Sequence, residues 1–443
     1  MFRVSHYLRE LAEAERSSQY PLPRRRGAEG ATAPERRAAP SPAPAPLGGG
    51  RHAAGGAISG PVVIWNLIRR CNLTCQHCYA LSADHDYAGE LDTGEVFTVM
   101  DDLKVFGVPV LILSGGEPLL RPDLFPIAER ALAMGFYTGL STNGTLIDEA
   151  LADRITATGF DYVGISLDGL RATHDRFRRL AGAFDRSLHA VRLLLARGVK
   201  VGLRYTMTAS NAPDFEPLLD LMRAEGAPKF YFSHLNYAGR GNIHRAKDAQ
   251  FAATRAALDT LFDRAWDAAQ RGLDEEYVTG NNDADGPWLL LWLQRRHPDL
   301  HARFGEALRQ RLQAWGGNAS GLHVANIDNL GEVHPDTMWW HHALGNVRQR
   351  PFSAIWPDTR DALMAGLKQQ PRPVGGRCAA CQYLAICGGN TRVRAQQLTG
   401  DPWAEDPGCY LDDAEIGLAE DRPRVPLSAF RSQRTLKVPV VAG

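Results

Sequence analysis

Three cysteines within eight residues, Cys71-Asn72-Leu73-Thr74-Cys75-Gln76-His77-Cys78, follow directly on the apolar run Pro61 to Ile68. Such a run reads as a buried strand, so the three thiols leave the core together and can converge on one metal centre. Three thiolates are one short of a closed site. A 4Fe-4S cluster held by three cysteines keeps one iron open to an outside ligand, whereas structural zinc takes four protein ligands in a tetrahedron. Zinc with His77 as fourth ligand is the alternative, and it requires His77 to fold back onto the loop it shares with Cys78.

The other cysteines are Cys378, Cys381, Cys387 and Cys409, so all seven fall into two groups with none left over. That clustering reads as metal ligation rather than disulfides. The chain has 443 residues, 44% hydrophobic and 23% charged, enough for a large core and more than one domain. Fifty basic and fifty acidic residues leave no bulk electrostatic footprint for nucleic acid or an anionic membrane. No apolar run reaches the ~18 residues of a membrane span. Arg3, Arg9 and Glu10 stand where a signal peptide needs apolar residues. The expectation is a cytoplasmic protein that binds neither nucleic acid nor membrane.

In chain order, residues 1–18 carry Val4, Leu8 and Leu11 at helical spacing, an amphipathic helix that docks on the body of the protein. Residues 19–58 form a disordered Pro/Ala/Arg-rich linker. From 59 to 272 one pattern repeats: apolar run, polar stretch, amphipathic helix, glycine. Glycines 107, 135, 159, 198 and 226 precede the strand-like runs Val108 to Leu113, Phe136 to Leu140, Tyr162 to Leu167, Val199 to Met207 and Phe230 to Leu235. With Pro61 to Ile68 these make six strands, and alternation at this spacing demands right-handed crossovers, hence an α/β fold with an open, partial (β/α)6 barrel. Asp92 and Glu95 form a capping box for the helix that follows. Residues 273–330 read as a connecting, substrate-facing segment, 331–420 as the domain of the second cysteine set, and 421–443 as a tail.

In a parallel barrel, ligands bind at the C-terminal strand ends. There the sequence offers Ser114-Gly115-Gly116-Glu117-Pro118, where two residues without side chains allow close approach to the backbone, then Ser141 and Asn143, then Ser166 and Asp168. These short polar residues suit a ribose and an amino-acid head group, and they suit helix capping and turns equally. Arg204 interrupts the apolar run of strand five and needs an anion. The glycine loop Tyr237–Asn242 and the loop Thr279–Gly286 follow the last barrel strand, where they could close over this face, and surface turns explain them equally well. A hairpin spans Gly321 to His334, turning at Asp328–Gly331, and leads to Trp339-Trp340-His341-His342. Of the histidines there, His334, His341 or His342 could ligate or protonate a macrocycle, or simply be hydrogen bonded. The second cysteine set supplies four thiolates, the complement of a fully ligated 4Fe-4S cluster, with four-coordinate zinc as the alternative.

Cys71, Cys75 and Cys78 with GGE at 115–117 resemble the signature of radical S-adenosylmethionine (SAM) enzymes. The resemblance implies that the open iron of the three-cysteine cluster binds an exchangeable SAM, whose amino group meets the strand-two backbone and Glu117. Cleavage of SAM there gives a 5′-deoxyadenosyl radical. The set 378, 381, 387 and 409 resembles the SPASM domain of these enzymes. Asp336 and Thr391 stand where the full pattern has further cysteines, which implies a twitch-like domain with one auxiliary 4Fe-4S cluster of four cysteines. Met1 to Glu10, Gly60 to Leu67, Asn281 to Gly286 and Cys387-Gly388-Gly389-Asn390-Thr391-Arg392 resemble the NirJ family of haem d1 biosynthesis. That likeness implies a small-molecule tetrapyrrole substrate, 12,18-didecarboxysirohaem, attacked at its propionates, and an unidentified electron donor. Arg69, Arg178, Arg204 and Arg240 are candidates for its carboxylates. The alternatives are a sister enzyme of sirohaem-dependent haem synthesis, acting by deacetylation or oxidative decarboxylation, and a SPASM peptide-modifying maturase.

Overall fold

The glycine-led apolar runs form strands in the computed structural model, which describes residues 1–19, 60–249 and 251–419. The expected linker beyond Gln19 and the tail 421–443 lie outside the described residues. Six strands follow the six runs: β1 (Val62–Asn66), β2 (Val110–Ser114), β3 (Tyr137–Thr142), β4 (Tyr162–Ser166), β5 (Val201–Met207) and β6 (Lys229–His234). Each is parallel to the next, with Val63 opposite Leu111 and Ser166 opposite Arg204. The helix Thr93–Phe106 shows how the pattern is enforced. The Asp92 carboxylate accepts from the Glu95 amide at 2.8 Å, the Glu95 carboxylate accepts from the Asp92 amide at 2.9 Å, and Gly107 ends the helix at φ 87°. Between those ends Val96, Val99, Met100 and Leu103 turn one face into the core.

The segment 273–330, read from sequence as a connector, extends this sheet at both edges. Strand β7 (Glu276–Gly280) lies parallel to β6, and β8 (Val324–Ile327) lies parallel to β1. The expected hairpin is present, with β8 antiparallel to β9 (Glu332–His334) and a short β10 (Gly345–Asn346) beyond it. The ten strands run in the order β10-β9-β8-β1-β2-β3-β4-β5-β6-β7. Strand β7 hides from a periodicity reading because it opens on a charge. Glu276 is buried, with Lys229 Nζ at 3.3 Å and Arg3 at 3.2 Å to balance it.

The N-terminal helix, Val4–Gln19, packs on the helix Phe251–Arg271 with Val4, Leu8 and Leu11 buried, and Phe2 exchanges both backbone hydrogen bonds with Thr279 at 2.7 and 2.8 Å. The chain's start thereby covers the outer edge of β7, which would otherwise offer free amides and carbonyls. Downstream of the hairpin a small core of Trp339, Leu363, Leu367 and Val393 supports the second cysteine set. Among the described residues no helix is long and apolar enough to cross a membrane.

Candidate metal centre

Cys71, Cys75 and Cys78 leave the C-terminal end of β1 in one loop, the first two buried and the third half-buried. Every sulfur is met by an N–H donor. Leu73 N lies 3.4 Å from Cys71 Sγ, Arg178 Nη1 lies 3.5 Å from Cys75 Sγ, and Ser82 N lies 3.4 Å from Cys78 Sγ. Burial pushes the Cys71 and Cys75 thiols up, and Glu117 and the neighbouring thiols add to it at Cys71. Three thiolates are held here only against a cationic centre, and the N–H donors are what such sulfurs need. Tetrahedral zinc would bring its sulfurs to about 3.8 Å of one another, from a Zn–S bond of about 2.3 Å. Among the described residues neither cysteine set has three ligand atoms mutually within 4.8 Å. His77 stacks on Phe177 at 4.7 Å with its Nδ1 buried and unpartnered. Three cysteine sulfurs, each met by an N–H donor, make a donor set that fits an iron-sulfur cluster.

The loop is clamped from outside. Arg240 donates from Nε to Cys75 O at 2.7 Å and from Nη1 to Ser82 O at 2.9 Å, and its amide reaches Cys78 O at 2.9 Å. Gly239, at φ 50°, leaves no room for a side chain: a Cβ would stand 2.3 Å from Tyr79 O. The Tyr237–Asn242 loop, which by sequence could close over the barrel face or form a surface turn, presses on the cysteine loop itself.

The space beside Gly115 and Gly116 is taken up by the chain's own backbone. A Cβ at Gly115 would stand 2.4 Å from Ile68 O, and one at Gly116 2.2 Å from Arg70 O. What approaches these glycines is the chain's own stem, bonded by Gly116 N to Ile68 O at 2.6 Å and Glu117 N to Arg70 O at 2.9 Å. Glu117 is fully buried and accepts from Thr142 Oγ1 at 2.7 Å, Asn143 N at 2.8 Å and Leu119 N at 3.2 Å. Burial outweighs these bonds and pushes its carboxyl up to about 7. Asn143 ties strand β3 to the cysteine loop through Asn72 Oδ1 at 2.9 Å.

Asp168, expected against the cofactor, is 0% exposed and already engaged. It pairs with Arg178 and accepts from Thr206 N at 2.7 Å. Arg178 is thereby removed from the candidates for substrate carboxylates, since it bridges Asp168 and the Cys75 sulfur, while Arg240 gives Nε and Nη1 to loop carbonyls and keeps Nη2 buried without a hydrogen-bond partner among the described residues. Arg204 and Arg69 differ. Arg204 bonds Ser141 Oγ and lies over the Tyr231 ring at 5.3 Å, and Ser166 is its register partner. Arg69 donates from Nε to Ala80 O at 3.0 Å and lies over Tyr87 and Trp340 at 4.8 and 5.8 Å. Among the described residues neither guanidinium has a carboxylate partner.

The three histidines each have a protein partner. His334 is fully buried, its Nδ1 2.9 Å from His342 O and its Nε2 3.4 Å from Asp328. His341 meets Gln396 at 2.8 Å, and His342 meets Asp361 at 3.0 Å. The residues that sequence reasoning missed are aromatic and amide: Tyr79, whose hydroxyl accepts from Asn66 Nδ2 at 2.8 Å, stands edge-on to Trp340, and Asn326 bonds Asn66 Oδ1 at 2.7 Å. A buried asparagine inside each of two strand-like runs was the available signal.

Cys378, Cys381, Cys387 and Cys409 line one cavity of about 390 Å³ counted to its mouth, with Arg377 and Asn390 in its wall. Burial raises the thiols of Cys378, to about 11, and of Cys381 and Cys387. The Thr279–Gly286 loop fastens this cavity to the barrel: Asn282 Nδ2 donates to Gly408 O at 3.0 Å, Asn390 Nδ2 to Asn282 Oδ1 at 2.7 Å, and Thr391 Oγ1 to Asn281 O at 2.9 Å. Asp285 takes hydrogen bonds from Tyr410 at 2.7 Å and lies 3.0 Å from His234, joining strand β6 to the residue after Cys409.

A cluster-competent cysteine loop at the mouth of an open parallel barrel is the architecture of one class, and the chain belongs to the radical SAM superfamily, whose family model matches residues 65–222. It is a radical SAM enzyme. It is 53% identical over 375 residues to the pre-heme d1 synthase of Dinoroseobacter shibae, which covers 84% of this chain and 92% of that protein. It is 43% identical to the Fe-coproporphyrin III synthase of Methanosarcina barkeri over 81% of this chain and 90% of that one. Among solved structures, Streptococcus suis SuiB bound to S-adenosylmethionine shares the fold, with TM-score 0.62 and 17% identity over 80% of this chain and 78% of that one.

Proposed function

We propose that this chain acts in haem d1 synthesis on 12,18-didecarboxysirohaem, at its propionate side chains. The observation that carries the reading is the 53% identity extending over 92% of the pre-heme d1 synthase. Arg69, which has no carboxylate partner among the described residues and follows the same strand end as the cysteine loop, suits a substrate bearing several carboxylates. Tyr79, Tyr87 and Trp340 beside Arg69 offer flat faces to a macrocycle.

In this reading Cys71, Cys75 and Cys78 hold the 4Fe-4S cluster with its exchangeable SAM. The bound pair supplies a 5′-deoxyadenosyl radical, able to take hydrogen from an unactivated propionate carbon where no side-chain base could act. The rest is the work of this chain's residues. Gly115, Gly116 and Glu117 fix the strand end beneath the cofactor, and Ser141, Ser166 and Arg204 present the polar groups that receive it, Arg204 taking a carboxylate. Asn143 and Asp168 act from behind, holding the cysteine loop through Asn72 and Arg178. Cys378, Cys381, Cys387 and Cys409 would hold a second 4Fe-4S cluster, a four-thiolate site that would supply one-electron redox chemistry without a vacant iron.

The test is an anaerobic single turnover with dithionite, SAM and 12,18-didecarboxysirohaem, reading 5′-deoxyadenosine and tetrapyrrole mass together. Substrate-dependent deoxyadenosine with propionate-modified tetrapyrrole supports the reading. Loss of acetate masses moves the chain to the second reading, favoured by the 43% relative, and deoxyadenosine with unchanged tetrapyrrole refutes both.

A further inference from the structure

The outer wall of the cysteine loop is built from three separate parts of the chain, and its charge is one-sided. Gln76, the residue after Cys75, is held from both flanks: its Nε2 donates to Arg176 O at 3.0 Å, its amide donates to Phe177 O at 3.1 Å, and Lys247 Nζ donates to its Oε1 at 3.1 Å. Arg176, Arg179 and Lys247 are exposed, and among the described residues none of them forms an ion pair. Arginines nearby on the same layer do: Arg171 pairs with Asp185, Arg192 with Glu225, and Arg197 with Glu149 and Asp153. In a chain of zero net charge, unbalanced cations have been left around this loop.

Two further features mark the surface. Arg179 closes the helix Arg171–Arg178 at φ 58°, a left-handed conformation that glycine adopts more easily, so the backbone there does not favour the arginine that occupies it. Ile243, 59% exposed, is one of four large hydrophobic side chains left in solvent among the described residues, and it directly precedes His244. Burial, followed by the charges of Lys247, Arg179 and Arg240, holds His244 below its ordinary range. A shallow cleft of about 220 Å³ between Gln76, His77, His244 and Lys247 completes the site.

We propose that this face, Gln76 ringed by Arg176, Arg179 and Lys247 with Ile243 at its margin, is the docking surface for an acidic one-electron carrier protein that reduces the cysteine-loop centre. The inference rests on the reading of Cys71, Cys75 and Cys78 as cluster ligands. The step is one outer-sphere electron transfer: the carrier is oxidised by one electron and the centre reduced by one, with no bond made or broken. Gln76 is one peptide bond from Cys75, so a carrier seated here is adjacent to a ligand. Charge complementarity around a small apolar contact suits a transient encounter, fast in association and weakened by salt.

The experiment uses the cluster-loaded full chain and flavodoxin, an acidic carrier, as probe. Arg176→Glu/Arg179→Glu/Lys247→Glu is expected to weaken flavodoxin binding about 30-fold or more and to abolish its salt dependence. SAM cleavage driven by flavodoxin hydroquinone falls by a similar factor, while cleavage driven by dithionite is unchanged. The triple glutamine variant, which carries no new acid, gives an intermediate loss and guards against misfolding of the glutamate form. Unchanged flavodoxin affinity in both variants overturns the proposal. So does a raised tetrapyrrole KM under dithionite with flavodoxin affinity intact, which would make the surface a substrate site. Binding is read without turnover, so failure of wild-type SAM cleavage would count against the cluster reading and leave the surface judged separately.

Discussion

Removing the positive charge of Arg178 tests whether the cysteine loop is held from behind as described. Its side chain is 8% exposed and its partner Asp168 is 0% exposed, so neither charge can be rehydrated in place. Arg178→Met keeps the length of the chain but leaves the Asp168 carboxylate with the Thr206 amide at 2.7 Å as its remaining donor. Breaking one side of a buried pair costs about 3–5 kcal/mol. Asp168→Asn, which strands the arginine instead, falls in the same range. The double variant removes both charges and keeps the Thr206 hydrogen bond to an amide oxygen, so its loss is about 1–2 kcal/mol. The coupling energy is therefore about 4 kcal/mol or more, well above the spread expected of independent sites. Urea unfolding of the four proteins by far-UV circular dichroism supplies the cycle. Because Arg178 Nη1 also lies 3.5 Å from Cys75 Sγ, an electron-paramagnetic-resonance redox titration of the loaded Arg178→Met protein should show the midpoint lowered by about 20–60 mV. A single variant within about 1 kcal/mol of wild type, or a double variant as unstable as the sum of the singles, would refute the argument.

Replacing Arg69 or Arg204 by Met should raise KM rather than unfold the chain, since neither has an acidic partner to strand. Loss of one charge-assisted contact of about 1.5–3 kcal/mol predicts a roughly 10- to 150-fold rise, for the tetrapyrrole with Arg69 and for SAM with Arg204, read in separate titrations. Glu117 supplies a pH test. Its folded carboxyl is raised to about 7, so the folded state holds the proton more tightly than the unfolded one, and stability is fully present below the unfolded value near 4.5 and falls as pH rises towards 7. The apoprotein should lose up to about 3 kcal/mol between pH 4.5 and 7.5 through this group, and Glu117→Gln should flatten that slope in urea titrations. Arg394 and Asp406 form a bidentate pair at 2.7 and 2.6 Å, with side chains 2% and 0% exposed, and Asp406 also accepts from Gly408 N at 2.9 Å. Arg394→Met should cost about 3–5 kcal/mol and free the segment carrying Cys409, so iron per chain falls towards the content of Cys409→Ala.

The cysteine spacing, the glycine caps and the apolar runs were legible in the sequence because each is a local pattern: six strands, the capping box at Asp92 and Glu95 and the hairpin at 321–334 lie where their residues placed them. What escaped was set by partners distant in sequence. Glu276 looks like a strand breaker until Lys229 and Arg3 are beside it. Strand β8 was visible as half of a hairpin, but its pairing with β1 depends on a partner far up the chain. Gly115 and Gly116 were noticed for their missing Cβ, but their close contact with the Ile68–Arg70 stem depends on a neighbour about 46 residues back. Asp168 and Arg178 were assigned separately to cofactor and substrate, when each is the other's counter-ion. The loops at 237–242 and 279–286 were placed on the correct face, but only the structure distinguishes a lid over a ligand from a clamp on the protein.

The parallel pairing of β1 with β8 has a consequence in time. Asn326 Nδ2 bonds Ile64 O across 262 positions of sequence. At about 5–20 residues per second of synthesis, β1 waits about 13–50 s with one edge bare. During that interval the three thiols that follow it have emerged while the strand completing their stem has not yet been made. Gly239 and Arg240, which seat the loop, arrive earlier but still some 160 residues late, as the 165 positions between Arg240 and Cys75 require. A nascent chain in that state carries a bare sheet edge beside exposed soft nucleophiles, open to oxidation and to pairing with other chains. In a ribosome-bound series of truncations, thiol alkylation of Cys71, Cys75 and Cys78 should fall in two steps, first when residues beyond 242 emerge and again beyond 327.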